Sequence, residues 1–229
     1  MDKQAFFDAI RGGVLISCQA LPHEPLHGAA NMALMAIAAK QGGAVGIRSN
    51  SAVDVRAIKD ATALPVIGLK KIGYADSDIY ITPTLDDILE IADAGADCVA
   101  FDCTHRARPF GQSLEDLVRA VRARTDVLLM ADISTYEEGI FAERLGIDLV
   151  STTLSGYTPY SPQAEAPDFD LMRRLAADLR IPVCAEGRIW TREQAVEAKH
   201  TGVFALIIGS SVTRPQDITR RFIEAVDRK

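Results

Sequence analysis

The chain has 229 residues, 48% of them hydrophobic, and its 31 acidic and 25 basic residues give a net charge of −6. This length suits one α/β domain, and the hydrophobic content is enough for one large core. Because the charges are mixed along the chain without a basic run, nucleic acid and anionic membranes are not expected partners.

Short apolar runs alternate eight times with longer, alanine-rich segments, which predicts strands followed by helices. The predicted strands are, in chain order, residues 14–19, 45–48, 66–71, 98–102, 127–132, 149–152, 182–186 and 205–209. The predicted helices are residues 29–41, 53–62, 85–94, 114–124, 136–145, 169–179, 192–199 and 216–226.

Eight strand-and-helix units predict a closed (β/α)8 TIM barrel that forms a single domain over residues 1–229. A doubly wound open sheet is the alternative, but such a sheet usually carries Gly-x-Gly-x-x-Gly after its first strand. Here a long loop with prolines follows the first strand instead. Helix signals agree with the barrel, because Asp168 and Thr191 can cap the helices after them and Pro215 suits a first helical turn.

Polar side chains stand at the ends of most predicted strands. They are Gln19, Arg48, Lys71, Asp102, Asp132, Thr152 and Glu186. In a barrel, the carboxyl ends of the strands form the mouth of the active site, so this set predicts a catalytic site there. For Asp102 or Thr152 alone, capping of the next turn is an equally open interpretation.

The last two strands end in a similar way, with Glu186-Gly187-Arg188 after one and Gly209-Ser210-Ser211 after the other. Backbone N–H groups at such ends, together with a helix N-terminus, form the phosphate site of many barrels. We therefore expect Gly187, Gly209 and Ser210 to bind a phosphate. Arg214 could add its charge, although a solvated loop arginine is the alternative.

The segment His23-Glu24-Pro25-Leu26-His27 matches the letters of a zinc-protease helix. Pro25 moves Glu24 away from helical geometry, so His23 and His27 cannot share one helical face. No metal site is predicted here, and the segment is interpreted as a loop over the barrel mouth.

Four cysteines, at positions 18, 98, 103 and 184, form no Cys-x-x-Cys pair and are expected to be reduced core thiols. The N-terminus lacks the pattern of a signal peptide, and the longest apolar stretch, residues 29–39, is too short to cross a bilayer. We expect a cytoplasmic protein.

Several motifs together resemble the N-acylmannosamine-6-phosphate 2-epimerases, in order from about residue 12 to residue 222. They are Ser-Cys-Gln-Ala at 17–20, Glu-Pro-Leu-His at 24–27, Gly-Gly-Ala-Val-Gly-Ile-Arg at 42–48, Ile-Thr-Pro-Thr at 81–84, Met-Ala-Asp-Ile at 130–133, Thr-Thr-Leu-Ser-Gly-Tyr-Thr at 152–158, Ala-Glu-Gly-Arg at 185–188 and Thr-Arg-Pro at 213–215. The resemblance implies an enzyme of amino-sugar or sialic-acid catabolism that interconverts N-acetylmannosamine 6-phosphate and N-acetylglucosamine 6-phosphate without a cofactor. It also suggests a homodimer.

The resemblance implies a catalytic lysine at the end of the third strand and a catalytic glutamate at the end of the seventh. By register these are Lys71 and Glu186, although Lys70, Ile72 and Gly73 depart from the family pattern around the lysine. Neighbouring strand residues point to opposite faces, so we expect only Lys71 to enter the mouth. Ser210 stands where the family tends to have a second glycine, and phosphate binding is expected to survive. The implied substrate-binding residues are Gln19, Arg48, Asp132, Thr152, Gly156 and Tyr157.

Epimerisation at C2 needs a base that removes the proton next to the C1 carbonyl of the ring-opened sugar and a group that returns it. A lysine with a pKa lowered by burial can be that base. Gln19 could bind an amide or hydroxyl, Arg48 an oxyanion, and Asp132 sugar hydroxyls or the lysine. A Schiff-base aldolase or lyase is the competing enzyme class, and a sugar-phosphate-binding protein without catalysis is the competing non-enzyme.

Overall fold

The computed structural model describes residues 1–227, so residues 228 and 229 of the predicted domain lie outside the described residues. Eight parallel strands pair in chain order, and the last closes onto the first. They are β1 Val14–Cys18, β2 Gly46–Asn50, β3 Val66–Leu69, β4 Cys98–Asp102, β5 Leu128–Asp132, β6 Leu149–Ser151, β7 Val183–Glu186 and β8 Ala205–Ile208. This closed barrel confirms the predicted fold and excludes the open sheet.

The helices surround the barrel, and each predicted helix is found within two residues of its expected ends. They are α1 Lys3–Ile10, α2 Ala29–Gln41, α3 Ala52–Thr62, α4 Leu85–Asp93, α5 Leu114–Arg122, α6 Tyr136–Arg144, α7 Phe169–Asp178, α8 Arg192–His200, α9 Ser210–Thr213 and α10 Pro215–Asp227. A short 3₁₀ turn, Pro109–Gly111, lies before α5. Among residues 1–227, no helix has the length and hydrophobicity that crossing a bilayer requires.

Side-chain caps explain where several helices begin. Thr84, Thr135 and Thr191 each accept a hydrogen bond from a backbone N–H of the first turn. The side chain three residues after each threonine in turn accepts a hydrogen bond from the backbone N–H of that threonine. This reciprocal arrangement satisfies two amides that would otherwise lack partners, and each cap contributes about 1 kcal/mol. Asp168 caps α7, as predicted, by accepting a hydrogen bond from the backbone N–H of Leu171.

The core has two layers because strand side chains alternate between the two faces of the sheet. Inside the barrel, an apolar cluster includes Leu15 and Met130, whereas Ile47 and Val99 face the surrounding helices. Helix α1, which the sequence analysis did not predict, contributes buried aromatic and aliphatic side chains to the inner cluster. It lies at the amino end of the strands and leaves the carboxyl end for the site.

Most strand bounds lie within one residue of the prediction, but the carboxyl ends of two strands differ from it by two residues. β2 continues past Arg48 to Asn50, so Arg48 lies inside the barrel wall and not at its rim. β3 ends at Leu69, and the two lysines that follow it are outside the regular strand. The amide of Lys71 donates to the Asn50 side chain at 2.7 Å, and the amide of Lys70 donates to Thr82 Oγ1 at 3.0 Å. After Leu69, side-chain oxygens thus accept the backbone N–H groups that a neighbouring strand would accept within the sheet.

Candidate active site

A cavity of about 570 Å³ opens at the carboxyl end of the barrel, which is the active-site end in this architecture. Nine of the twelve predicted site residues line it. They are Gln19, Arg48, Lys71, Tyr157, Glu186, Gly187, Gly209, Ser210 and Arg214.

Three predicted substrate-binding residues do not line this cavity. Asp132 is fully buried and bonds to a guanidinium in the barrel wall. The hydroxyl of Thr152 bonds to the backbone C=O and N–H of Glu186. Gly156 lies behind the cavity wall, against the side chain of Arg188. Their hydrogen bonds and packing within the protein indicate a supporting role.

Arg48 connects three strands at the base of the cavity. Its side chain is 1% exposed, and it donates to both oxygens of Asp132, at 3.0 and 2.5 Å. It also forms a short ion pair with Glu186. Burial by itself lowers the pKa of Arg48, but the two carboxylates more than offset this and raise the pKa above its ordinary value. The guanidinium therefore stays protonated and holds Glu186 in place.

The carboxylate of Glu186 is bound on one side only. Its Oε2 accepts hydrogen bonds from Arg48, from Ser151 Oγ at 3.1 Å and from Thr153 Oγ1 at 2.9 Å. Among residues 1–227, no hydrogen-bond donor contacts Oε1. Burial raises the pKa of Glu186, and the nearby negative charge of Asp132 adds to this while Arg48 opposes it. The arrangement fixes one oxygen and leaves the other for a proton or a ligand.

Lys71 enters the cavity without a counter-ion. No hydrogen bond or ion pair to its Nζ is formed within residues 1–227. Burial, followed by the positive charges of Arg48 and Arg214, lowers its pKa from 10.5 to about 8, and the carboxylates of Glu186 and Glu24 only partly compensate. About a tenth of Lys71 is therefore a neutral amine at pH 7 and about half at pH 8, and the neutral amine is the form that a general base requires.

Lys70 points the other way, as the alternation of side chains predicts. Its Nζ lies 2.8 Å from Asp87 and 2.7 Å from Glu90, both on α4. These two carboxylates outweigh the effect of burial and raise its pKa. Of the two adjacent lysines, only Lys71 has the environment of a base.

The ends of β7 and β8 form one side of the cavity. Gly187 has a φ of +105°, a conformation that glycine adopts without strain, and its backbone turns toward the cavity. After β8, Gly209 leads into the short helix α9, which begins at Ser210. Arg214 lies beside them and bonds to Glu24 of the first loop at 3.1 Å. Backbone N–H groups and one cation are thus combined, as in the phosphate sites of other barrels.

Sequence reasoning missed Thr153, Ser151 and Arg188 as functional candidates. Thr153 contacts Arg48, Asp132 and Glu186 from the loop after β6. Its only sequence signal is its place in the motif at 152–158. Ser151 faces inward at the end of a strand and could have been found from the alternation of the strand.

The segment 23–27 and the four cysteines, which the sequence also singled out, form no reactive or metal-binding arrangement among the described residues. Glu24 accepts from the backbone N–H of Leu21 in a turn, and His27 Nδ1 lies 3.1 Å from the carbonyl of Ala20, so the segment 23–27 is a loop and not a helix. All four cysteines are free and buried. Burial raises the pKa of the thiol at each of them, which keeps them protonated and unreactive.

Residues 32–228 match the protein family described as "Putative N-acetylmannosamine-6-phosphate epimerase". A relative from Caldanaerobacter subterraneus, named "Putative N-acetylmannosamine-6-phosphate 2-epimerase", is 49% identical over 96% of this chain and 93% of its own. A relative of the same name from Clostridium perfringens is 50% identical over 95% of this chain and 98% of its own.

Solved structures give the same result. The chain resembles the N-acetylmannosamine-6-phosphate 2-epimerase from Clostridium perfringens with a TM-score of 0.94 and 48% identity, over 98% of both chains. It also resembles thiamine phosphate pyrophosphorylase from Pyrococcus furiosus, with a TM-score of 0.59 and 17% identity over 96% of this chain and 98% of the other. The second similarity concerns the barrel fold alone.

Proposed function

The chain belongs to the N-acetylmannosamine-6-phosphate epimerase family, and from this membership we propose that it is an isomerase that interconverts N-acetylmannosamine 6-phosphate and N-acetylglucosamine 6-phosphate. The observation that carries the proposal is Lys71, a lysine without a counter-ion in a barrel-mouth cavity, with its pKa lowered to about 8. A base of this kind is what proton removal at C2 requires.

Lys71 is the base at C2 of the ring-opened sugar. Its neutral amine takes the C2 proton, the electron pair of the C–H bond forms a C1=C2 double bond, and the C1 carbonyl oxygen becomes an enolate oxygen. Return of a proton to the opposite face of C2 gives the other epimer. The positive charges of Lys71 after protonation and of Arg48 stabilise the enolate through space.

Glu186 is the second group that exchanges protons with the sugar. β3 and β7 lie four strands apart in the ring, so Lys71 and Glu186 approach a bound sugar from opposite sides. The free Oε1 of Glu186 faces the cavity, while its Oε2 is held by three donors. The raised pKa of this carboxyl suits a group that must both give and accept a proton near neutral pH.

The 6-phosphate binds where β7 and β8 end. Backbone N–H groups at Gly187, Gly209 and Ser210 are suitable donors, and Arg214 adds a positive charge beside them. Gln19 and Tyr157 also line the cavity, and we expect them to contact the sugar and its N-acetyl group. Asp132, Thr152 and Gly156 do not line the cavity and affect substrate binding through the residues they contact, which are Arg48, Glu186 and Arg188 respectively.

A homodimer is part of the proposal. Helix α10 buries no residue, and its Phe222 and Val226 are 71% and 83% exposed. Beside β1 and α2 lies a mainly apolar groove of about 650 Å³, lined by Met35 and Ala39 among others. A second copy that places the apolar side of its α10 against this groove covers both surfaces. Light scattering should then give twice the mass of the chain, and Phe222→Asp should reduce it to the monomer.

A cytoplasmic location and a metabolic role are further parts of the proposal. Four buried, reduced thiols suit the reducing cytoplasm. We propose that the reaction belongs to amino-sugar catabolism and, within it, to the breakdown of sialic acid, as the resemblance of the motifs implies.

Incubation with N-acetylmannosamine 6-phosphate in deuterated water tests the function directly. We expect N-acetylglucosamine 6-phosphate to appear with deuterium at C2, in both epimers at equilibrium. Lys71→Ala should abolish the exchange, and Lys70→Ala, the matched control on the neighbouring lysine, should retain it.

Two results would contradict the proposal. A covalent adduct on Lys71 after borohydride reduction with substrate would indicate a Schiff-base aldolase or lyase. Tight binding of the sugar phosphate without deuterium exchange would indicate a binding protein without catalysis. Loss of exchange in Lys70→Ala and not in Lys71→Ala would reverse the assignment of the two lysines.

A further inference from the structure

Arg188 has a backbone conformation that few residues other than glycine adopt. Its φ is +59°, and it directly follows Gly187, whose φ is +105°. A left-handed conformation at a residue with a side chain costs about 1 kcal/mol or more and persists where other contacts fix it. We therefore expect the contacts of the Arg188 side chain to hold this backbone conformation in place.

The guanidinium of Arg188 reaches from the end of β7 to the loop between β6 and α7, here called loop 152–168. Its Nη1 donates to the carbonyl of Ala164 at 2.5 Å and lies 3.5 Å from that of Pro162. Its Nη2 is 3.4 Å from Ser155 Oγ, and Ser155 in turn donates to Asp168, the cap of α7. One side chain thus contacts the start and the middle of the loop and reaches its end through Ser155.

Gly156 makes room for this side chain. A Cβ at position 156 would lie 2.0 Å from Nη1 of Arg188 and 2.6 Å from its Cζ. Real Cβ atoms do not approach other heavy atoms this closely, so any larger residue would expel the guanidinium. The resemblance had suggested Gly156 as a substrate-binding residue, but its absent side chain is what Arg188 occupies.

Loop 152–168 carries two groups of the site. Thr153 bonds to Glu186 at 2.9 Å and to Asp132 at 2.7 Å, and Tyr157 lines the cavity directly after Gly156. Within residues 1–227, Arg188 forms no ion pair, and its hydrogen-bond partners are neutral oxygens of the loop. The loop is therefore held by the directional N–H donors of the guanidinium more than by its positive charge.

We propose that Arg188 is a positioning residue that clamps loop 152–168 over the cavity, and that Gly156 is the matching small residue that lets the clamp close. The clamp holds Thr153 and Tyr157 against the bound sugar phosphate, and this part of the inference rests on the proposed function. Opening of the loop weakens substrate binding and leaves Lys71 and its pKa in place.

Two single variants break the clamp from opposite sides. Arg188→Ala removes the guanidinium, and Gly156→Ala displaces it. Each should raise KM about tenfold or more, with a smaller change in kcat and an unchanged pH profile. Hydrogen exchange of the backbone amides in loop 152–168 should become at least about tenfold faster in both.

The double variant decides between a shared and an independent effect. If the two residues form one clamp, Arg188→Ala together with Gly156→Ala is no worse than either single variant. Gly146→Ala is the control for backbone strain, because Gly146 has a similar φ of +77° but a Cβ there meets nothing within 4 Å. It should leave KM and loop exchange unchanged.

Arg188→Lys separates clamping from attraction of the phosphate. A lysine keeps the charge but carries all its donors on one nitrogen, so it cannot span Ala164 and Ser155 as the two terminal nitrogens of the guanidinium do, and it should behave like alanine. Additive effects in the double variant, a normal KM in Arg188→Lys, or unchanged loop exchange in Arg188→Ala would each overturn the proposal. The exchange measurement needs no substrate, so it tests the clamp even if the proposed reaction fails.

Discussion

Replacing Lys71 with methionine should abolish epimerisation and make the protein more stable. Methionine has a similar length, fills the same space and carries no charge. The wild-type protein keeps an ammonium group in a cavity where burial, Arg48 and Arg214 all disfavour it. Removing that group removes an unfavourable term from the folded state.

The size of the effect follows from the pKa. It falls from 10.5 to about 8 on folding, and about 1.4 kcal/mol per pH unit gives a cost of about 3 kcal/mol at pH 7. Between pH 8 and 10.5 the unfolded lysine binds a proton that the folded one has lost, so wild-type stability rises with pH relative to the variant. The advantage of Lys71→Met should shrink to about 2 kcal/mol at pH 9 and below about 0.5 kcal/mol at pH 10.5.

Urea unfolding at several pH values, monitored by circular dichroism, measures these differences, and at pH 7 the melting temperature should rise by about 6–12 °C. Lys70→Met is the matched control, because it removes a lysine that is paired with Asp87 and Glu90. It should lose about 1 kcal/mol or less and keep its activity. If Lys71→Met is no more stable than the wild type at pH 7, or if its advantage does not shrink with pH, Lys71 is not a destabilised base.

Three further predictions concern pH, the buried ion pairs and packing. The kcat/KM of the wild type should rise about tenfold per pH unit below pH 8 and level off above it, because only neutral Lys71 accepts a proton; a flat profile from pH 6 to 9 would contradict this assignment. Asp132→Asn should destabilise the fold by about 3 kcal/mol in urea unfolding, because Arg48 then lacks one of its two buried counter-charges, and a loss below about 1 kcal/mol would show that this pair is not essential to the barrel. Gly68→Ala should cost about 1–3 kcal/mol, since its Cβ would lie 2.5 Å from a side chain of α4, whereas Gly73→Ala meets nothing within 4 Å and should be neutral.

The barrel could be predicted because its signals are local. Apolar runs of strand length, capping residues such as Asp168 and Thr191, and Pro215 at the start of the last helix each act within a few positions of the chain. Helix α1 escaped prediction because its eight residues are stabilised mostly by burial of Phe6 and Ile10 in the barrel interior, which is a long-range effect.

The site was predicted less completely for the same reason. Residue types and strand ends indicated Lys71 and Glu186, and the structure brings both to one cavity. Asp132 was expected to bind sugar hydroxyls or the lysine. In the structure Arg48, from β2 three strands away in the ring, bonds to both of its oxygens. The clamp of Arg188 on loop 152–168 depends on the space beside Gly156. The sequence shows the glycine but does not show which side chain fills that space.

The position of α1 has a consequence for the chemistry at the far end of the barrel. Phe6, Phe7 and Ile10 fill the amino end of the barrel with buried apolar side chains, at the end opposite to Arg48 and Glu186. Fields between charges are strong where the surrounding matter is hard to polarise. By keeping that end apolar, the short N-terminal helix lowers the polarisability beneath the buried ion pairs of Arg48, so truncation of a side chain at the far end of the barrel should weaken those pairs.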